Sequence, residues 1–245
     1  MCYYKSLHVK QNQVIPTFDL TIPDDFTRIV QNGFDYSLWP VIRPNAECGT
    51  EVVLMEWGLI PDYVYTREAV EQSRRTYNGL NAIGEELLEK RMYKDAAANR
   101  RCVVLSSGFY EWRHLPRIGK NGQPLKTVDK YPYYIKLKGR DVFFMAGIWQ
   151  PWKDPETDTT VNSFALVTTK ANSLMEQIHN SKKRMPLILT DELAAEWISD
   201  IPQQRIKEIA TFQIPAEEME AYTIQKNFRE SQEPLPFTYD IPALQ

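Results

Sequence analysis

Cysteine and histidine are both scarce in this sequence, and their spacing does not favour a metal site. The 245 residues include three cysteines and three histidines. Cys2, Cys48 and Cys102 form no CxxC pair, the spacing that often marks structural zinc. We therefore predict no metal ligands. So few cysteines also favour a reducing compartment over a secreted domain held together by disulfides.

Long apolar runs are missing as well. No run reaches the roughly 18–20 residues that a membrane-spanning helix needs, and the start of the chain, Met1 to Ser6, does not resemble a signal peptide. We therefore expect an intracellular, cytoplasmic protein without a membrane span. Since 43% of the residues are hydrophobic, and 13 Tyr, 10 Phe and 6 Trp are present, the chain can bury a sizeable core.

An excess of positive charge is absent too. The net charge is −3 at pH 7, from 29 basic and 32 acidic residues. This balance argues against a protein that is coated in nucleic acid, but it leaves room for a local basic groove. Short basic clusters occur at residues 74–75, 90–91, 100–101 and 182–184, although most such clusters are solvated surface charge.

The order of the predicted elements indicates an α+β fold. Strands are predicted at 51–57, 102–105, 108–112, 131–138, 142–149 and 161–168, and helices at 23–33, 84–97, 170–177, 191–199 and 202–211. The connections between the last three strands are too short for helical crossovers, which favours antiparallel pairing. We predict a single domain with a curved or barrel-like antiparallel β core flanked by helices.

The connecting segments indicate no second domain. Residues 114–130, rich in Gly, Pro and Lys, are predicted to form a loop, and residues 153–160 a turn between two strands. Neither segment resembles a domain boundary. The predicted domain spans residues 1–233, and a tail, residues 234–245, packs on its surface or frays.

Cys2 is the first candidate for chemistry because of its position. Cysteine is small enough for the preceding methionine to be removed, which exposes an α-amine and a thiol on adjacent carbons. With reference pKa values of about 7.7–8.0 and about 8.5, both groups are partly nucleophilic near neutrality. Such an aminothiol traps an aldehyde as an imine that the sulfur closes to a thiazolidine, and it can also attack acyl groups. The alternative is a small buried residue at the start of a strand.

Three further residues are candidates for acid–base or positioning roles. Glu111 lies between Tyr110 and Trp112, where burial would raise its pKa, but it could equally be a surface residue of an edge strand. His179 titrates in the physiological range and precedes a run of cations; a structural role is the alternative. Asn81 is either a turn or N-cap residue or a hydrogen-bonding group around a tetrahedral centre.

Several short motifs follow one another in order along residues 2–190. They are the Met1-Cys2 start, Trp57 to Pro61, Asn81-Ala82 followed by Glu85, Gly108 to Trp112, Val167 to Thr169, and the segment from His179 to Leu189. Each motif is short, but the ordered set is specific. In these motifs the chain resembles the SOS-response-associated peptidase (SRAP) family, the abasic-site shielding proteins.

The resemblance implies a monomeric SRAP domain that crosslinks to abasic sites in single-stranded DNA, without a metal or cofactor. Cys2 matches the residue that forms a thiazolidine with the ring-opened sugar. Glu111 matches a catalytic glutamate that shuttles protons in crosslinking and in the autopeptidase release of Met1. Asn81 matches an asparagine that positions the N-terminal residue. His179 matches a histidine that assists sugar ring opening and reversal of the link, and a lyase activity is a further expectation.

The resemblance also implies a basic groove for single-stranded DNA. Arg91 and Thr168 match positions that line it, and Pro44 matches a loop proline there. The family usually carries arginines at two positions that are Tyr4 and Ile83 in this chain. The absence of two phosphate-binding arginines should make DNA binding less dependent on salt. Tyr4 is expected to contact the DNA by stacking on a base instead.

Two other functions remain open. One is an N-terminal-nucleophile cysteine amidohydrolase or peptidase that uses Cys2, which hydrolysis of a small amide without DNA would support. The other is a noncovalent module for single strands, in which aromatic residues such as Trp57 stack on bases. Salt-sensitive binding that survives the loss of Cys2, with no adduct, would favour this second function.

Overall fold

A computed structural model describes residues 2–47, 49–77, 79–230 and 233–245. The strands within these residues are β1 (Tyr4–Val9), β2 (Val14–Ile15), β3 (Leu20–Thr21), β4 (Phe26–Asn32), β5 (Leu38–Asn45), β6 (Gly49–Trp57), β7 (Asn81–Ile83), β8 (Arg101–Ser106), β9 (Gly108–Ile118), β10 (Pro124–Leu137), β11 (Phe143–Lys153), β12 (Thr160–Lys170), β13 (Arg184–Pro186), β14 (Ile188–Leu189) and β15 (Met219–Thr223). The α-helices there are α1 (Arg67–Thr76), α2 (Lys94–Asn99), α3 (Ser173–Ile178), α4 (Asp191–Trp197) and α5 (Gln203–Ala210).

A closed five-stranded barrel lies at the centre of the fold. Its strands follow the order β12-β6-β5-β8-β11, and the pairing of β11 with β12 closes the ring. Four of these pairs are antiparallel, and the β6–β12 pair is parallel. A closed ring with an odd number of strands cannot alternate in direction throughout, so it must contain a parallel pair. The predicted α+β class with a barrel-like β core is confirmed.

A second sheet, with the order β15-β10-β9-β1-β4, carries the beginning of the chain. In it, β1 and β9 pair antiparallel, with Tyr4 opposite Tyr110 and Lys5 opposite Phe109. Because β10 belongs to this sheet and β11 to the barrel, the antiparallel run predicted for the three strands from 131 to 168 holds only for its last two members. The buried faces of both sheets contribute to one large core.

Two motif glycines are needed where another chain segment passes very close. Gly58, which follows the barrel residue Trp57, has a φ of +142°, and a Cβ there would lie 2.4 Å from the ring of Tyr36. A Cβ on Gly108, at the start of β9, would lie 2.2 Å from the hydroxyl of Tyr134. These close approaches are a physical reason for glycine in both motifs.

The predicted helix at residues 23–33 is wrong. The chain forms β4 over Phe26–Asn32, and Gly33 begins a short 3₁₀ turn rather than ending a helix. Pro23 resembles the first residue of a helix, but Thr27, Ile29 and Val30 are β-branched and favour a strand. Here the pairing of β4 with β1 decides the conformation.

The predicted helix at 84–97 is only partly correct. A 3₁₀ turn occupies Gly84–Glu86, irregular turns follow, and α2 covers Lys94–Asn99. Gly84 packs tightly on the end of α5, since a Cβ there would lie 2.1 Å from the carbonyl oxygen of Ala210. The helical spacing of apolar residues therefore does not become a continuous helix.

The remaining predicted elements are largely confirmed. The strand at 51–57 lies within β6, and the helices at 170–177, 191–199 and 202–211 correspond to α3, α4 and α5. Residues 114–130 are the exception, because most of this predicted loop is an extension of the β9–β10 hairpin. No helix among the described residues is long and apolar enough to cross a membrane.

The C-terminal tail makes several hydrogen bonds to the rest of the chain. The Phe237 amide donates to the Thr223 carbonyl at 2.7 Å, and the Tyr239 hydroxyl donates to the Ile224 carbonyl at 2.8 Å. The Gln245 amide donates to the Gln177 side chain at 2.7 Å. These hydrogen bonds attach the tail along β15 and α3. The boundary at residues 233–234 stays a prediction.

Candidate active site

Main-chain and side-chain hydrogen bonds fix the position of Cys2. The Asn81 side-chain amide donates to the Cys2 carbonyl at 2.9 Å, and the Gly33 amide donates to the Tyr3 carbonyl at 2.8 Å. Asn81 is held in turn by β7, which pairs with β12, and by the Tyr93 hydroxyl, which donates to its carbonyl at 3.1 Å. The barrel thus positions the residue that follows Met1.

The side-chain oxygen of Asn81 has no hydrogen-bond partner among the described residues. This atom, Oδ1, is buried. A buried acceptor without a donor is unfavourable. It is therefore available to a donor on a bound molecule or on the processed N-terminus.

Glu111 and His179 lie beside each other, and both are buried. The distance from Glu111 Oε2 to His179 Nε2 is 3.7 Å. The other ring nitrogen, Nδ1, lies 2.8 Å from the Arg184 carbonyl, which can only accept a hydrogen bond. Nδ1 must therefore carry the hydrogen in neutral His179, which leaves the lone pair of Nε2 directed toward Glu111.

Burial sets the protonation states of the site. It raises the pKa of Glu111 to about 7 and lowers the pKa of His179 to about 4. Burial also raises the pKa of the Cys2 thiol to about 12, an effect to which the nearby Glu111 carboxylate adds. Near neutrality the site therefore holds a protonated thiol, a neutral imidazole and a carboxyl group that can give or take a proton.

A cavity of about 370 Å³ opens beside this pair. Glu111 and His179 line it together with Tyr3, Trp112, His114, Lys130, Ser181 and Arg229. Lys130 and Arg229 are exposed, and neither forms an ion pair with another described residue. The cavity thus combines a buried acid–base pair with a rim of two exposed cations, which we call the basic rim.

Arg229 lies close to Tyr4, one of the two positions where the related family carries arginine. Its guanidinium carbon is 4.8 Å from the centroid of the Tyr4 ring. Tyr4 also packs edge-on against Trp112 at 5.4 Å and against Phe228 at 6.3 Å. No motif in the sequence points to Arg229, because it lies 225 positions after Tyr4 and only folding brings the two together.

The other predicted DNA-binding residues do not line the cavity beside Glu111 and His179. Thr168 is fully buried, and its hydroxyl donates to the Ala82 carbonyl at 3.3 Å. Arg91 is exposed and lies over the ring of Tyr63 at 4.6 Å. Pro44 lines a separate cavity of about 410 Å³ that contains neither Glu111 nor His179. Their roles in DNA binding stay predictions, and that of Thr168 would require its side chain to become exposed.

Trp57 cannot stack on a base in this conformation. It is fully buried, and its indole NH donates to the Leu80 carbonyl at 3.0 Å. The expectation that it forms a platform for single strands is therefore wrong.

The described residues contain no group of three or more His, Cys, Asp or Glu side chains placed to hold a metal ion.

Comparison with known proteins places this geometry in a family. A family model described as SOS response associated peptidase (SRAP) matches residues 1–231. The chain is 36% identical over 145 residues to the abasic site processing protein YoqW of Bacillus subtilis, which covers 59% of this chain and 56% of that protein. It is 32% identical over 173 residues to YobE of the same organism, also an abasic site processing protein, with 69% of each chain covered. The chain thus spans little more than half of YoqW.

Solved structures agree with the sequence comparison. A crystal structure of a protein from Bacteroides thetaiotaomicron is 30% identical, with a TM-score of 0.76, and the match covers 96% of this chain and 97% of that one. A protein from Bordetella bronchiseptica, 19% identical with a TM-score of 0.67, shares the fold. Since the family model covers nearly the whole chain, this protein belongs to the SOS response associated peptidase (SRAP) family.

Proposed function

We propose that this protein processes abasic sites in single-stranded DNA by forming a covalent link to them through Cys2, once Met1 has been removed. The observation that carries the proposal is the hydrogen bond from Asn81 to Cys2, at a site that also contains the Glu111–His179 pair. The names of the relatives, which are abasic site processing proteins, support the substrate. We further expect a monomer that works inside the cell.

The reaction needs an aldehyde, which an abasic sugar presents only when its ring is open. Opening requires removal of a proton from the anomeric hydroxyl and delivery of one to the ring oxygen. Neutral His179 has a lone pair on Nε2, and Glu111 exchanges a proton near pH 7. The pair can therefore both accept and supply the protons of this step.

Capture forms two bonds to the aldehyde carbon. The Cys2 α-amine adds first, and loss of the carbonyl oxygen as water leaves an imine. The Cys2 sulfur then adds to the imine carbon, the nitrogen takes up a proton, and the thiol proton is released. The product is a thiazolidine. Protonated Glu111 is suited to assist the loss of water.

Release of Met1 belongs to the same proposal. Asn81 holds the Cys2 carbonyl, and the Glu111 carboxylate interacts with the Cys2 thiol, so we propose that Glu111 activates the water that cleaves the Met1–Cys2 bond. Protein carrying Glu111→Gln should then retain Met1 in its intact mass, whereas the wild type should lose it. Loss of Met1 from both proteins would assign the cleavage to another enzyme.

The basic rim is the proposed binding surface for DNA phosphates. Lys130 and Arg229 border the cavity and have no carboxylate partner among the described residues, so both charges are available. Arg229 supplies a cation near the position that is Tyr4 here. A phosphate on either side of the abasic sugar would then lie on the rim, with the sugar in the cavity.

The test is incubation of mature protein with a single-stranded oligonucleotide that contains one abasic site. We expect a shifted band that survives heating on a denaturing gel, and a peptide mass that places the adduct on Cys2. Cys2→Ala should abolish it, because alanine keeps the amine but cannot close the ring. Cys102→Ser is the matched control, and a reduced abasic site, which has no aldehyde, should give no band.

An adduct on a lysine or on another cysteine would contradict the assignment to Cys2. Hydrolysis of a small amide by the mature protein, without any DNA adduct, would instead support an N-terminal-nucleophile amidohydrolase.

A further inference from the structure

Asn180, the residue that follows His179, is hydrogen-bonded to the strand that carries Glu111. Its side-chain amide donates to the His114 carbonyl at 2.8 Å, and its side-chain oxygen accepts from the His114 amide at 3.0 Å. These two hydrogen bonds imitate the pair that a residue of one antiparallel strand exchanges with its neighbour. Among the described residues β1 pairs with β9 only at 108–110, so further along β9 the Asn180 side chain takes the place of a strand.

This attachment lies close to both members of the acid–base pair. Glu111 precedes His114 by three positions in β9, and His179 is joined covalently to Asn180. The helix α3, which ends at Ile178, also packs against β9. The distance of 3.7 Å between Glu111 Oε2 and His179 Nε2 is therefore set across the contact that Asn180 fastens.

The other end of the turn formed by residues 179–184 is attached to the barrel. The Lys183 amide donates to the His179 carbonyl at 2.8 Å, and the His179 ring donates from Nδ1 to the Arg184 carbonyl at 2.8 Å. The Arg184 guanidinium donates to the Glu85 carboxylate at 2.8 Å and to the Thr168 carbonyl at 2.5 Å. These contacts fix the tautomer and orientation of the ring, but none of them joins the turn to β9.

Asn180 itself is exposed and lies outside the lining of the cavity. Water can replace the hydrogen bonds of an exposed side chain at little net cost, so these two bonds matter for geometry more than for stability. Proton transfer needs the two heavy atoms at about 2.6–3.2 Å, which is shorter than the 3.7 Å of the resting Glu111–His179 pair. An outward displacement of the turn would therefore interrupt the transfer.

We propose that Asn180 is a positioning residue that holds His179 within reach of Glu111, because it fastens the 179–184 turn to β9. Asn180 acts through His179 and does not contact the substrate. The inference rests on the proposed function, since it assigns Asn180 to the acid–base pair of that reaction. His179 is expected to matter more for reversal of the link than for its formation, so reversal is the step that should respond to Asn180.

The test compares Asn180→Ala with Gln177→Ala, a matched control from the same segment. The Gln177 side chain makes the same kind of paired hydrogen bonds, both at 2.7 Å, but to the main chain of Gln245 instead of β9. Adducts preformed on a labelled abasic strand are mixed with an excess of unlabelled abasic strand, and release of the label is followed on denaturing gels. Asn180→Ala should slow release about 10–10²-fold, and Gln177→Ala should match the wild type.

A double-mutant cycle separates positioning from a general structural effect. Because Asn180 acts through His179, adding Asn180→Ala to His179→Ala should slow release no further. The affinity for an intact single strand, measured in a Cys2→Ala background, should be unchanged by Asn180→Ala. Multiplied losses of rate in the double variant, or weaker binding of the intact strand, would overturn the proposal.

A readout without DNA keeps this proposal separate from the proposed function. The sequence has three histidines, so the ring ¹⁵N signals of His179 are assigned with the variants His8→Gln and His114→Gln. Glu111→Gln should shift these signals in an otherwise wild-type chain but much less in Asn180→Ala, while Nδ1 stays protonated in both. If the wild type shows this dependence but forms no adduct with abasic DNA, the proposed function fails and the role of Asn180 stands. If the adducts of wild type and Asn180→Ala release equally fast, the role of Asn180 fails alone.

Discussion

The buried Glu111–His179 pair, which we call the reaction centre, borders the same cavity as the exposed basic rim. The two regions depend on different physics. Glu111 and His179 owe their protonation states to the removal of water, which shifts their pKa values in opposite directions. Lys130 and Arg229 are solvated charges whose interactions are weak and screened by salt. The comparison teaches that the centre should control the rate of the chemistry, and the rim the affinity for DNA.

The largest effect should come from the reaction centre. Glu111→Gln keeps the size of the side chain but cannot exchange a proton, so we expect crosslinking to an abasic site to slow by about 10²–10⁴-fold. The expected decrease is independent of salt and is measured by quenched time courses on denaturing gels.

His179→Ala should slow reversal of the link more than its formation. Wild-type rates in both variants would reduce these residues to structural roles.

A second prediction concerns stability, because the two shifted pKa values oppose each other. Folded Glu111 holds a proton up to about pH 7, whereas its ordinary pKa is 4.5, so its contribution to stability falls as the pH rises between these values. The pKa of His179 is lowered from 6.5 to about 4, so its contribution to stability rises as the pH rises between these two values. In the wild type the two trends largely cancel.

Replacing one residue of the Glu111–His179 pair should reveal how the other makes stability depend on pH. In urea titrations, the free energy of unfolding of Glu111→Gln relative to wild type should increase from pH 4.5 to 7, by on the order of 3 kcal/mol. His179→Asn should change in the opposite sense relative to wild type between pH 4 and 6.5. If the free energy of unfolding depends on pH in the same way for all three proteins, burial does not shift the pKa values of Glu111 and His179.

The basic rim should show a smaller effect that depends on salt. Removing one phosphate-binding cation from a single-strand complex lowers the log–log slope of affinity against salt by roughly 0.7. We therefore expect Arg229→Gln and Lys130→Gln each to flatten the slope by about this amount in a Cys2→Ala background, which blocks the covalent step. Lys207→Gln is the matched control, because Lys207 is an exposed residue of α5. A slope unchanged by both rim variants would move the phosphate-binding surface elsewhere.

The smallest effect is expected at Tyr4. Base stacking contributes about 1–3 kcal/mol per base, but Tyr4 is half-buried against Trp112 and Phe228, so we expect the lower end of this range. Tyr4→Ala should weaken binding of single strands about fivefold at every salt concentration, because about 1 kcal/mol of stacking is removed. Tyr4→Phe keeps the ring and should bind normally, whereas Tyr4→Arg should steepen the salt dependence. Wild-type binding by Tyr4→Ala would place Tyr4 outside the DNA surface.

Particular elements show where sequence patterns are sufficient. The strand at 51–57 and the helices near residues 173, 191 and 203 carry their own periodicity and termini, and the structure confirms them. At 23–33 the helix start signal is misleading, because pairing with β1 stabilises a strand there. Local propensity is a weak preference that a neighbouring strand can override.

By itself, the sequence determined the α+β class, the family and the position of a cysteine that becomes N-terminal when Met1 is removed. Those features depend on residue order along the chain. Only the tertiary structure decided that Asn81 holds Cys2, that Glu111 lies beside His179, and that Arg229 borders the same cavity. The reason is that pKa shifts and cavities arise from burial and distance, which residues far apart in sequence create only when they pack together.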